Sequence, residues 1–329
     1  MTYAHYIKEL GRGAQGSRSL SPEEARQLYA AMLDGGVPDL ELGAILIALR
    51  VKGESSDEML GFLAAIDDRL NRIEMPHGRV RPVVLPSYNG ARKEANLTPL
   101  LALLLQRFGV PVLVHGLLEG YGRVGSAPIF RELGHLPVSS VQQAQQAMED
   151  KGICFLPLTA LCPGLHNVLA LRARMGVRNS AHSLVKLLNP FRGEAVLVAP
   201  ATHPEFITLM RDILIERSQR GLLLRGTEGE PVANAKRRPR LEYIRNGAVD
   251  VLFEAEHDSL RGLPNLPEGF DAISTARWIR RVLDKQVPLP KPIANQLACL
   301  LFASGYVDDL NQAKAIVAVE ATGLLMGGN

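Results

Sequence analysis

The sequence predicts an α/β protein with a small all-helical N-terminal domain and a large α/β domain, whose mostly parallel central sheet is covered by helices. Residues 2–70 place apolar side chains at helical spacing with no strand-like run. From about residue 80 short apolar runs alternate with helix-length segments, the pattern of a parallel sheet with crossover helices. A chain of 329 residues, 47% hydrophobic, can bury one large core plus a small satellite.

The first strong helix is "SPEEARQLYAAML", where Ser21 is the N-cap, Pro22 takes the first helical position, and Glu23 and Glu24 face the positive end of the dipole. After the turn "DGGVPD" come "LELGAILIALRVKG", closed by Gly53, and "SSDEMLGFLAAIDDRL", again opened by serine. These short amphipathic helices define a domain over residues 1–72, joined by "RIEMPHGRVRP" at 72–82 to a second domain over 80–329. There "RPVVL", "VPVLVHG", "ICFLPL", "AVLVAP" and "GLLLRGT" read as strands. The segments "DAISTARWIRRVLDK", "PIANQLACLLFASG" and "DDLNQAKAIVAVEATGLL" return to helices, either to cover the sheet or to rejoin the N-terminal bundle.

Several classes are excluded. The N-terminus "MTYAHYIKELGRG" lacks the apolar core of a signal peptide, and no apolar run reaches the roughly 18 residues that span a bilayer. A cytoplasmic, non-membrane protein is expected. Cys154, Cys162 and Cys299 fit no metal-ligand spacing and lie in apolar sequence, which predicts buried free thiols.

The net charge of +3 is modest, but its distribution is uneven. Between Gly152 and Gly193 there is no Asp or Glu, while Arg172, Arg174, Arg178, Lys186 and Arg192 fall within that stretch. A second acid-free stretch, "PVANAKRRPRL", holds Lys236, Arg237, Arg238 and Arg240. Cations without interleaved anions add their potentials, the electrostatic footprint of a polyanion site. A solvated basic face is the alternative for any single run.

The stretch from "LSPEEARQLYAAML" to "GFLAAI" resembles the helical domain of the anthranilate phosphoribosyltransferases, within glycosyltransferase family 3. The resemblance continues through "VPVLVHG", "GSAPIFRELG", "MGVRNSAHSLVKLLNP" and "LLLRGTEGE", and so covers most of the chain in order. It implies the nucleoside phosphorylase/phosphoribosyltransferase fold, dimerisation through the helical domain, and a phosphoribosyl pyrophosphate and magnesium site between domains.

Residue by residue, the family's phosphate machinery is altered. Its G-T-G-G-D turn falls on Pro86, Ser87, Tyr88, Asn89 and Gly90, where Pro86 lacks an N–H and Tyr88 sets a ring in place of ligand. The K-H-G-N motif and its following serines become Val114, His115, Gly116 and Leu117, then Tyr121 and Gly122. The acidic pair associated with magnesium aligns with Pro231 and Val232, neither of which offers an oxygen ligand; Glu228 and Glu230 lie nearby as substitutes. Asn96, His115, Gly116, Gly125, Ser126 and Arg178 keep the family pattern, Arg178 matching an arginine that contacts the aromatic acid substrate. "PSYNGARKEANLTPLLA" and "RMGVRNSAHSLVKLLNPF" resemble a divergent, second TrpD-like branch associated with nucleic acid.

The expectation is therefore a catalytically degenerate homodimer that binds DNA or RNA without sequence preference. Arg92, Lys93 and the two basic stretches would form a groove along the former substrate cleft. Ser87, Asn89, Gly90, Asn96, His115, Gly116 and Arg178 would form a vestigial substrate site with no catalytic residue. Tyr88, Tyr121 and Phe191 either stack on unpaired bases or fill the vacated pocket. No cofactor or metal is expected. The alternative is a phosphoribosyltransferase with an unidentified, aromatic or other, acceptor, which would need magnesium.

Overall fold

The computed structural model describes residues 3–13, 16–257 and 265–322. In chain order the first helices are α1 (Ala4–Leu10), α2 (Pro22–Leu33), α3 (Asp39–Lys52) and α4 (Ser56–Asp67). Then follow β1 (Val83–Ser87), α5 (Thr98–Arg107), β2 (Val112–Gly116), α6 (Ser126–Glu132), α7 (Val141–Lys151) and β3 (Ile153–Pro157). The short helices α8 (Leu158–Leu161), α9 (Pro163–Ala170), α10 (Arg172–Met175) and α11 (Ala181–Leu184) precede β4 (Val196–Ala201), α12 (Pro204–Glu216) and β5 (Gly221–Arg225). The chain closes with β6 (Leu241–Arg245), β7 (Ala248–Phe253), α13 (Ala272–Leu283), α14 (Lys291–Ser304) and α15 (Leu310–Thr322). None of the described helices is long and apolar enough to cross a membrane.

One compact unit combines residues 1–71 with 158–190. Its α2 and α4 begin with full capping boxes, Ser21 with Glu24 and Ser55 with Glu58, so the first free N–H groups of each helix are satisfied. The two helices pack with Tyr29 stacked on Phe62, ring centroids 4.6 Å apart. Fully buried Glu58 also pairs with Lys52 at 2.6 Å and accepts from the Leu20 amide at 3.0 Å. The expected boundaries differ here, because the segment recruited to the helical unit is 158–190 and not the C-terminal helices. Its helices are too short to stand alone. They bury Leu161, Leu165, Leu169 and Leu184, with α9 against α2 and α11 against α4, and Asn179 Nδ2 and Ser180 Oγ tie into Val168 O and Glu54 at 2.8 and 2.6 Å.

The other unit, residues 72–157 with 191–329, is built on a seven-stranded sheet in the order β3-β2-β1-β4-β5-β6-β7. Strands β1 to β5 are parallel, as expected, and β6 and β7 add an antiparallel hairpin that the sequence pattern does not assign. The hairpin turn is Asn246-Gly247, both at positive φ (50° and 74°), the type I′ signature. On one sheet face Val83, Leu85, Val112, Val114 and Val198 meet Leu101, Phe130, Trp278, Ile279 and Leu297 from the helices. The C-terminal helices thus cover the sheet. All three cysteines are free and buried.

Candidate functional site

Strand order reverses at β1, whose neighbours are β2 on one side and β4 on the other, and ligands of open α/β sheets gather outside the carboxyl ends of the strands at such a point. Here the loops after β1, β2 and β5 interlock. Pro86 and Ser87 lie opposite His115 and Gly116 in parallel register. A Cβ on Gly116 would stand 1.6 Å from the Ser87 carbonyl oxygen, so the His115-Gly116 pair is fixed by backbone packing.

The centre of this arrangement is filled by the protein's own carboxylates. Glu230, fully buried, accepts through Oε1 from the amides of Asn89 and Gly90 at 2.9 and 2.8 Å. Its Oε2 accepts from Ser87 Oγ at 2.5 Å and Asn96 Nδ2 at 3.1 Å, with the Thr98 hydroxyl 3.5 Å away. The Ser126 hydroxyl lies 2.6 Å from that of Ser87. Burial pushes the Glu230 carboxyl above its ordinary value, against the opposing donors Ser87, Gly90, Asn96 and Asn89.

Glu228 fills a neighbouring concavity. Its Oε1 accepts from the consecutive amides of Arg92, Lys93 and Glu94 at 3.0, 2.8 and 3.1 Å, and its Oε2 meets Arg123 Nη2 at 2.6 Å. Burial acts to raise this carboxyl, but the three amides and the Arg123 guanidinium outweigh it and hold the group below its ordinary value. Asn89 Nδ2 also donates to the Glu228 carbonyl. Gln296 on α14 clamps the loop, donating to Pro231 O at 2.9 Å and accepting from the Ala233 amide at 2.7 Å.

This geometry tests the magnesium expectation of the alternative. Pro231 and Val232 are buried and bring no side-chain oxygen, and both nearby carboxylates are saturated by N–H and O–H donors, a shell of the wrong polarity for a cation. Among the described residues no cluster of His, Cys, Asp and Glu suits a metal. His115 is fully buried with neither ring nitrogen hydrogen-bonded, and burial pushes it down to about 3. It is therefore neutral at physiological pH and brings no positive charge.

Of the residues expected to form a vestigial substrate site, Ser87, Asn89, Gly90, Asn96, His115 and Gly116 come together in the sheet unit, while Arg178 belongs to the helical unit. Sequence reasoning missed Arg123 and Gln296, and noted Glu228 and Glu230 only as nearby substitutes for the acidic pair under the alternative; their donor shells do not suit that role.

The cations divide by environment. In the helical unit, His182 is pushed down to about 3 by burial and then by the positive charges of Arg178, Arg172 and Lys186. Arg174 pairs with Asp39 at 2.9 Å on the surface. In the sheet unit the acid-free run is not free of acids in space: Lys236 meets Glu94 at 2.9 Å, Arg238 meets Glu256 at 3.3 Å, and Arg240 meets Glu242 at 2.8 Å. Arg192 pairs with Glu74 at 3.1 Å. The expectation that these charges add is corrected, because carboxylates outside the run, from adjacent Glu242 to Glu94, 142 residues from its partner Lys236, pair with them. Arg92, Lys93 and Arg237 are exposed, and the first two form no ion pair among the described residues. Of the aromatic candidates, Tyr88 and Phe191 are buried and only Tyr121, 47% exposed, presents a ring to solvent.

Residues 4–69 match the helical bundle domain of a glycosyl transferase family. Over 318 residues the chain is 45% identical to the uncharacterized protein YbiB of Escherichia coli, covering 96% of this chain and 99% of that one. It is 28% identical to the anthranilate phosphoribosyltransferase of Sphingopyxis alaskensis over 304 residues, 90% of each chain. In fold it is similar to the anthranilate phosphoribosyltransferase of Thermus thermophilus, with a TM-score of 0.75, 23% identity, and coverage of 97% of this chain and 95% of that one.

Proposed function

Since the chain belongs to the anthranilate phosphoribosyltransferase family, in the divergent TrpD-like branch with YbiB, we propose that it is a catalytically degenerate member that binds nucleic acid without sequence preference, as a homodimer. The observation that carries this reading is how the donors at the family's phosphate turn are spent. The amides of Asn89 and Gly90, Ser87 Oγ and Asn96 Nδ2 all serve the internal carboxylate of Glu230. A transferase needs such fixed donors, together with a metal, for the departing pyrophosphate.

Positive charge favours a polyanion partner. Arg172, Arg178 and Lys186 add to the burial that keeps His182 neutral, and Arg92 and Lys93 extend into solvent. Phosphates meeting them release condensed counterions, so log affinity falls with log salt at a slope of about −0.9 per phosphate on duplex and −0.7 on single strands. The exposed ring of Tyr121 can stack on a base, whereas Tyr88 and Phe191 fill the interior. For the homodimer, α3 offers Leu40, Ile47 and Val51, exposed and one above another on a single helix face.

The experiment is fluorescence anisotropy of the full chain against labelled single strands and duplexes of unrelated sequence, across several salt concentrations. Submicromolar, salt-steep and sequence-indifferent binding is expected. In parallel, phosphoribosyl pyrophosphate with magnesium and anthranilate should release no pyrophosphate above background. Absent or millimolar nucleic-acid binding, or turnover, would reject the reading and restore the transferase.

A further inference from the structure

Glu228 is held in a left-handed backbone conformation, φ 51° and ψ 21°, which a non-glycine side chain disfavours and its surroundings must stabilise. What stabilises it is the seat of its carboxylate. Three consecutive amides converging on one oxygen make a nest that accepts anions in general and not a glutamate in particular. Arg123 Nε donates to Gly90 O at 3.0 Å, which aims the guanidinium at the nest independently of Glu228. The Arg123 side chain is only 11% exposed, so departure of Glu228 would leave a nearly buried charge unpaired. Glu228 therefore leaves only when another anion arrives. The exposed side chains of Arg92 and Lys93 extend from the same three-residue nest.

We propose that Glu228 is an exchangeable anion: a phosphomonoester takes its place on the Arg92, Lys93 and Glu94 amides and on Arg123, and the Glu228 side chain is released while Glu230 and Gln296 keep the rest of the loop in place. One phosphate oxygen replaces Oε1 on the three amides and a second replaces Oε2 on Arg123. The third is left to Arg92 or Lys93. A phosphomonoester carries more charge and one more acceptor oxygen than the carboxylate it displaces. The recessed position of Arg123 suits a terminal phosphate better than a diester flanked by two sugars. No covalent bond forms or breaks. The exchange is independent of nucleic-acid binding, and only its reading as capture of a 5′-phosphorylated strand end rests on the proposed function.

The test is isothermal titration of inorganic phosphate, at constant ionic strength, into the full-length protein and its Glu228→Ala, Glu228→Gln and Arg123→Met variants, with folding checked by circular dichroism. Removing the internal competitor should tighten phosphate binding at least tenfold in Glu228→Ala. Glu228→Gln, which keeps the side-chain volume, should give at least threefold should the alanine variant fail to fold. Arg123→Met should bind no phosphate. Equal phosphate affinity in wild type and both Glu228 variants, or binding indifferent to Arg123, overturns the exchange. A second arm compares 5′-phosphorylated with 5′-hydroxyl oligonucleotides on Glu228→Ala. A preference of fivefold or more identifies the strand end as the source of phosphate, and equal binding supports a free phosphomonoester. Failure of both strands while inorganic phosphate still binds rejects the nucleic-acid reading and leaves the exchange standing.

Discussion

The Ser87 hydroxyl donates to Glu230 Oε2 at 2.5 Å, joining the carboxyl end of β1 to a loop 143 residues further along the chain. The bond places a carboxyl group of the protein's own at the carboxyl end of β1, the point where the strand order reverses.

Glu230→Ala should strip Ser87, Asn96 and the amides of Asn89 and Gly90 of their acceptor in a site closed to water, costing about 3–5 kcal/mol of stability in urea unfolding. Glu230→Gln should cost about 1–3 kcal/mol. Because burial raises the Glu230 carboxyl, the folded state holds its proton more tightly than the unfolded chain. The stabilising contribution is present at low pH and is lost as pH rises from the ordinary value of 4.5 through the raised one. Glu230→Gln should remove that slope.

The histidines act with the opposite sign. His115 and His182 are pushed down to about 3, so below the ordinary 6.5 the unfolded chain takes up protons that the folded protein refuses. Stability is complete above that value and declines as pH falls toward the folded values, by about 1.4 kcal/mol per pH unit for each histidine. Unfolding curves of His115→Leu should be flatter by that amount. This variant also removes two buried nitrogens without partners, so no loss of stability is expected at neutral pH.

His182 reports on the cations that depress it. Replacing Arg172 or Arg178 by Gln should move its titration upward in NMR spectra of the free protein, since each positive charge now opposes protonation.

Charge reversal should separate the cations by their environment. Arg172→Glu or Arg178→Glu should reduce the salt slope of nucleic-acid binding by about 0.7–0.9 for each phosphate no longer neutralised. Arg240→Glu, at a position already compensated by Glu242 and Glu254, should change the slope by less than half as much in the same anisotropy series.

Aspartate at Ile47 or Val51 should convert a dimer to a monomer in sedimentation experiments without unfolding the bundle, because both side chains are exposed, Val51 by 76%, within one copy.

Strands β1 to β5 were legible because each is a short, predominantly apolar run, and most are separated by helix-length segments. The β6-β7 hairpin carried a readable signal in Asn246-Gly247, but its strands are interrupted by Glu242 and Asp250 and are joined by a tight turn with no helix-length segment between them. Short-range patterns also could not assign residues 158–190 to the helical unit, since Leu161, Leu165 and Leu184 find partners far away in sequence. The altered phosphate turn was legible, motif by motif. Its replacement was not: "GTEGE" shows two glutamates, but only the fold brings their carboxylates to amides and side chains about 140 positions earlier. Charge runs failed for the same reason, as Glu94 reaches Lys236 and Glu256 reaches Arg238 only in space.

The sheet ends on β7, beyond which no further strand pairs among the described residues. An open edge is a template for another chain, and aggregation begins at such edges. Here Asp250 stands mid-strand, paired with Arg245 at 3.2 Å and nearly half exposed. A strand added along β7 would have to strip water from both charges. The hairpin is thus a guarded margin, whose charges set a desolvation cost against sheet-to-sheet pairing.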